Sequence, residues 1–165
     1  KNVYERERSG VRLVLFDLED RSDTDSSMVA EDGLLLLTPS LDLPHFTLLP
    51  RPDLGGAWGG LADKIIQKAV DWGAGRGGQQ LVSFPENPGF EKRFIVTARD
   101  EQAVRDFFTT DRGARLGQAG KGLAFSGGPG GLVVKRETYG QTQKIDLEQL
   151  RTQINQAMTV YEILR

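Results

Sequence analysis

The sequence predicts an α+β domain, an antiparallel or mixed β-sheet with about three helices packed on one face. Three observations carry this. Short apolar runs are separated by polar or Gly/Pro stretches, as strands are separated by turns. Two segments, 61–72 and 147–164, place apolar residues three and four apart, the helical period. The elements read as several strands, a helix, a strand, a helix, a hairpin and a long helix, which is not the alternation of a parallel sheet.

Val3–Arg8 reads as a first strand, closed by a turn at Ser9-Gly10. Val11–Glu19 is apolar on both alternating sets, Val11, Leu13 and Leu15 against Val14, Phe16 and Leu18, so it is a strand inside the sheet. Arg21–Ser27 holds no apolar residue and reads as an exposed loop. Leu34–Leu37 is a short strand ended by Pro39, since proline lacks the ladder donor. His45–Leu49 is another. Gly55–Gly60 is a glycine-rich hinge that leads into a helix with Leu61, Ile65, Ala69 and Trp72 on one face, stopped by Gly73–Gly78.

Gln80–Phe84 is a short strand, Pro85–Pro88 a turn and Arg93–Thr97 a clear strand. Asp100 caps a helix that carries Val104, Phe107 and Phe108 inward, and a further helical turn follows Thr109. Gly122–Ser126 and Leu132–Arg136 flank a Gly-Pro loop and form a hairpin. Asp146 and Gln149 make a capping box for the last helix, whose stripe is Leu147, Leu150, Ile154, Ala157, Tyr161 and Leu164. That stripe suits packing on the chain's own sheet; a homodimer through the 147–164 helix is its alternative use.

The 165 residues suffice for one domain spanning 1–165, with an ordinary soluble mix of 38% hydrophobic and 27% charged residues. No cysteine is present, which excludes thiolate catalysis, zinc–thiolate sites, iron–sulfur clusters and disulfides together. A net charge of −2 with interspersed signs gives no basic patch, so nucleic acid is not an expected partner. No apolar run is long enough to cross a membrane as a helix. A chain beginning at Lys1 rather than Met is expected to be part of a longer one.

No catalytic, metal or cofactor constellation stands out. His45 is the single histidine, set between Pro44 and Phe46, and reads as an ordinary packed or surface residue rather than a triad base. Asp23 and Asp25 open like a calcium loop, but the sixth and twelfth positions are Met28 and Leu34 instead of glycine and glutamate. Gly117–Gly122 resembles a P-loop fragment without its Ser/Thr and ahead of a strand; Gly73–Gly78 follows a helix, the reverse of the dinucleotide fingerprint. Glu91, Asp100 and Glu101 are close in sequence, yet Asp100 suits a cap, Glu101 the helix dipole, and Glu91 a solvated place beside Lys92.

Pro88–Val96 followed by Asp100–Thr109 forms an aromatic-basic-aromatic strand, an acidic cap, a valine-arginine pair and a Phe-Thr end. With Leu41–Leu48, Leu132–Arg136 and the Leu147–Leu150 helix start, this resembles the soluble region of a bacterial family of uncharacterised membrane-anchored proteins. The likeness runs from Leu34 onward, about two-thirds of the chain. The family often has proline after Phe-Thr, where this chain has Thr110-Asp111. The resemblance implies membrane attachment through a segment ahead of Lys1, a domain on the cytoplasmic side, and no reaction. The leading expectation is a non-catalytic binding or protein-interaction module. The alternatives are a small-molecule or lipid-binding domain, with a pocket bordered by His45, Trp58 and Trp72, and a hydrolase or transferase with a carboxylate site.

Overall fold

A computed structural model of the chain describes residues 3–8, 10–20, 29–51, 78–136 and 147–165. They hold β1 (Val3–Arg8), β2 (Val11–Asp20), β3 (Val29–Leu37), β4 (Phe46–Pro50), β5 (Gln80–Val82), α1 (Pro88–Glu91), β6 (Phe94–Ala98), α2 (Glu101–Phe107), α3 (Thr110–Ala119), β7 (Leu123–Gly128), β8 (Gly131–Arg136) and α4 (Leu147–Leu164). The strands form one sheet in the order β1-β2-β3-β8-β7-β4-β6-β5, and every neighbouring pair is antiparallel. This is the α+β architecture in its antiparallel form. The chain order interleaves: α2 and α3 carry it from β6 past β4 to β7, so β4 lies between two strands that follow it in sequence.

Alternation along the strands assigns the two faces. Leu36, Phe46, Leu48, Val96, Phe125 and Val134 share one face and are buried. Phe90 of α1, Val104 of α2, Leu116 of α3 and Ala157, Val160 and Leu164 of α4 join them in a single core cluster. The described helices therefore lie on one face. Thr47, Leu49, Ile95, Thr97 and Ala124, which point the other way, are buried as well. Strands buried on both faces need continuous apolar runs, which is why Phe46–Leu49 and Phe94–Val96 do not alternate.

Six phenylalanines tie α1 and α2 to the sheet. Phe108 has its ring 4.9 Å from Phe46, 5.0 Å from Phe107, 5.4 Å from Phe90 and 6.5 Å from Phe84, and Phe90 reaches Phe94 at 5.3 Å. Phe108 is inward as expected. Phe107 is half-buried and carries the Arg112 guanidinium 4.3 Å from its ring centre.

Several elements differ from their sequence reading. β3 begins at Val29, because β2 continues to Asp20 and pairs with it residue for residue. The turn at Pro85–Pro88 leads into a helical turn. Asn87 Oδ1 accepts from Phe90 N at 3.2 Å, and Pro88 takes the first helical position, where its missing N–H costs nothing. After Thr109 there is a full ten-residue helix rather than one turn. Thr109 Oγ1 accepts from Arg112 N at 3.4 Å, so a side-chain cap starts α3 without a proline. Gly113 and Gly117, poor helix formers by themselves, lie one turn apart on its buried face. A Cβ on Gly113 would stand 2.5 Å from Asn87 Nδ2, and one on Gly117 2.9 Å from Arg93 Cδ. Close helix approach is what these positions supply.

The Gly-Pro loop is tighter than expected. β7 runs to Gly128 and β8 starts at Gly131, leaving a two-residue turn in which Pro129 precedes Gly130 at φ +74°. Gly130 N donates to Leu41 O at 2.7 Å and Thr38 N donates to Gly130 O at 3.1 Å, fixing the hairpin tip to the segment before β4. The long terminal helix is present over Leu147–Leu164; Asp146 lies outside the described residues. Its buried face is centred on Gln153, Ala157, Val160, Tyr161 and Leu164, while Leu150 and Ile154 are half-buried.

Gln153 is the anomaly on that face. It is 1% exposed, and neither Nε2 nor Oε1 has a hydrogen-bond partner among the described residues. A buried unpaired amide costs about 1–3 kcal/mol. Gln153→Leu, close in volume, is expected to stabilise the chain by about that amount, read as a raised urea midpoint at constant slope. A lowered midpoint would mean that the amide has a partner in solution.

Candidate interaction surface

Of the three residues expected to border a pocket, His45 lies among the described residues. His45 is exposed at the entry to β4. A Cβ on Gly128 would stand 2.9 Å from its Nδ1, so the imidazole lies along the bare backbone of β7. Trp58 and Trp72, together with the Gly55–Gly60 hinge and the helix expected at 61–72, lie outside the described residues, as do Asp23 and Asp25.

The carboxylates are occupied by local structure. Asp100 Oδ1 accepts from Ala103 N at 2.9 Å, the expected cap of α2. Glu101 Oε1 accepts from Arg105 Nε at 3.0 Å, and Glu86 takes the same guanidinium at 2.9 Å. These contacts, Glu101 first, hold the Arg105 pKa above its ordinary value. Glu91 is not a free group beside Lys92; it accepts from Ser83 Oγ at 2.6 Å. Among the described residues no three potential metal ligands cluster. Gly117 and Gln118 lie within α3 and Gly120 closes it, so the P-loop-like fragment ends a helix where a phosphate loop must begin one.

A cleft of about 420 Å³ opens at the turn end of β1 and β2, lined by Glu7, Gly10, Arg12, Leu37, Thr38, Pro39 and Gly130. Its cation is already engaged. Arg12 Nη2 donates to Glu5 Oε2 at 2.8 Å while Nε meets Oε1, a two-point contact across β1 and β2. That hydrogen bonding holds the Glu5 carboxyl below its usual pKa.

Beside this cleft lies an exposed edge strand. β1 is the last strand of the sheet among the described residues, pairing with β2 alone. Val3 is 59% and Tyr4 66% exposed, and Glu5, Arg6 and Glu7 are exposed too. An edge strand presents a row of unpaired backbone donors and acceptors, a template for another strand. The register identifies them. Arg8 pairs with Val11 across two intervening residues, and the closing pair of a two-residue hairpin exchanges both its hydrogen bonds. By alternation Arg6 and Tyr4 bond to β2, and the N–H and C=O groups of Val3, Glu5 and Glu7 point away from it. The strand was legible in the sequence; its place at the sheet's edge was not, because strand order is set by long-range pairing.

Compared with known proteins, the chain matches no family model, no curated protein and no solved structure. No described helix is long and apolar enough to cross a membrane.

Proposed function

We propose that this chain is a non-catalytic protein-interaction module of a membrane-associated bacterial protein, and that it meets its partner along β1. The observation that carries the reading is the outer edge of β1, where backbone groups with no strand partner among the described residues stand beside the exposed side chains of Val3 and Tyr4. Large exposed side chains on an open sheet edge are a recurrent basis for strand addition by a partner. The described carboxylates favour the same reading, since Asp100, Glu101, Glu86 and Glu91 each serve a cap, an arginine or a serine. The membrane and bacterial parts rest on the resemblance of the segments from Leu34 onward.

Benzoylphenylalanine placed at position 4 in the full-length protein tests it in cells. Illumination is expected to yield one discrete protein adduct from position 4 and none from the exposed position 148 of α4. Absence of any adduct from position 4 would sink the reading.

A further inference from the structure

Charge along β1 narrows the partner. Tyr4 and Arg6 point to the helix-bearing face, because they pair with Leu15 and Leu13, and Leu13 belongs to the core. Glu5 and Glu7 point to the opposite face. The edge is basic on one side and acidic on the other.

This division bears on self-association. Two copies joined edge to edge by a two-fold axis form an antiparallel pair in which both sheet faces continue. Each residue of β1 then meets a residue of the same face, so cross-strand partners differ by an even number of positions. Two such registers align more than three of the residues of β1. One sets Arg6 opposite Tyr4 and Glu7 opposite Val3; the other sets Arg6 opposite Arg6 and Glu7 opposite Glu5. In neither does the copy supply an acid opposite Arg6 or a base opposite Glu7, and in the second like charges stand directly opposite, which is destabilising. The edge finds no charge complement in its own copy while remaining open to a different strand.

We infer that the β1 edge takes an antiparallel extended segment of a different protein, with an acidic residue opposite Arg6, a basic residue opposite Glu7 and an apolar or aromatic residue opposite Tyr4. Glu5 makes no such demand, since Arg12 already neutralises it. The partner's main chain bonds to the outward groups of Val3, Glu5 and Glu7. Its side chains supply the selection, as is general for strand addition. This inference rests on the interaction reading above and adds the chemistry of the partner.

The probe is a synthetic peptide, acetyl-Thr-Lys-Glu-Thr-Tyr-Val-Thr-amide, which in antiparallel register sets Lys opposite Glu7 and Glu opposite Arg6. Its control exchanges the Lys and the Glu. The first is expected to bind about five-fold or more tightly than the control, an advantage reduced by salt. The amide protons of Glu5 and Glu7 are expected to gain protection from exchange. Glu5→Pro removes an outward donor but no bond to β2, so it is expected to abolish binding while the Tyr4 and Arg6 amides stay protected. The double variant Arg6→Glu with Glu7→Lys leaves the backbone alone and is expected to prefer the control peptide. Equal binding of the two peptides, or binding of neither, would overturn the inference. So would a dimer in sedimentation equilibrium that Glu5→Pro dissociates, since the occupant would then be a second copy. A position-4 adduct in cells alongside failed peptide binding would remove the strand chemistry and leave the interaction reading standing.

Discussion

Phe108→Ala is expected to destabilise the chain by about 3–5 kcal/mol, the range for deleting a fully buried phenylalanine. Phe108 is 2% exposed at the C-terminal end of α2 and touches four other rings, those of Phe46, Phe84, Phe90 and Phe107. Those rings come from β4, the segment after β5, α1 and α2, so the void cannot be closed by moving one element. Edge-to-face contacts to Phe46, Phe84 and Phe107 add attraction beyond the area buried. Urea unfolding followed by far-UV circular dichroism measures the loss. Phe107→Ala is the internal comparison, because its ring is half-buried and partly covered by Arg112. A Phe108→Ala loss no larger than that of Phe107→Ala would contradict the packing described.

Gly127→Ala is expected to cost about 1–3 kcal/mol, the usual cost of inserting a methyl into a filled core. The new Cβ would stand 2.6 Å from Phe46 Cε1, 2.7 Å from Cζ and 3.0 Å from Leu43 Cδ1. Phe46 is fully buried and held by Phe108, so its ring has nowhere to go. The neighbouring Gly128→Ala makes a close contact too, 2.9 Å from His45 Nδ1. His45 is exposed and its ring can swing into solvent, so that variant is expected to lie within about 0.5 kcal/mol of the parent, as surface changes usually do. Thermal unfolding of the pair separates the two cases. Equal melting temperatures would show that Phe46 yields as readily as His45.

The contrast between adjacent glycines illustrates where sequence reading stops. Gly127 and Gly128 sit in one glycine-rich stretch and look alike on paper. Their roles diverge because alternation points one at the phenylalanine cluster and the other at a surface imidazole. The same holds for α3. Its sequence carries two glycines and one large apolar residue, Leu116, so periodicity offers little. The helix forms because Thr109 caps it and its glycines let it approach Asn87, Phe90 and Arg93. Gln153 was hidden for a related reason. Of the apolar stripe Leu147, Leu150, Ile154, Ala157, Tyr161 and Leu164, the last three are buried as the spacing predicts, whereas Leu150 and Ile154 are half-buried and the polar Gln153 lies inside the packed face.

Local signals alone determined a good deal: the α+β class, the positions of β1, β2, β4, β6, β7 and β8, the Asp100 cap of α2, and the long terminal helix. Each depends on residues within a few positions of one another, through side-chain alternation, capping or turn chemistry. Only the tertiary structure decided the strand order, the burial of β4 and β6 on both faces, the employment of Glu91 by Ser83, and the place of β1 at an edge of the described sheet. These depend on pairings between residues far apart in the chain, such as Leu34 with Val134 and Phe46 with Gly127. Their free energy comes from shared burial, which no single segment's pattern contains.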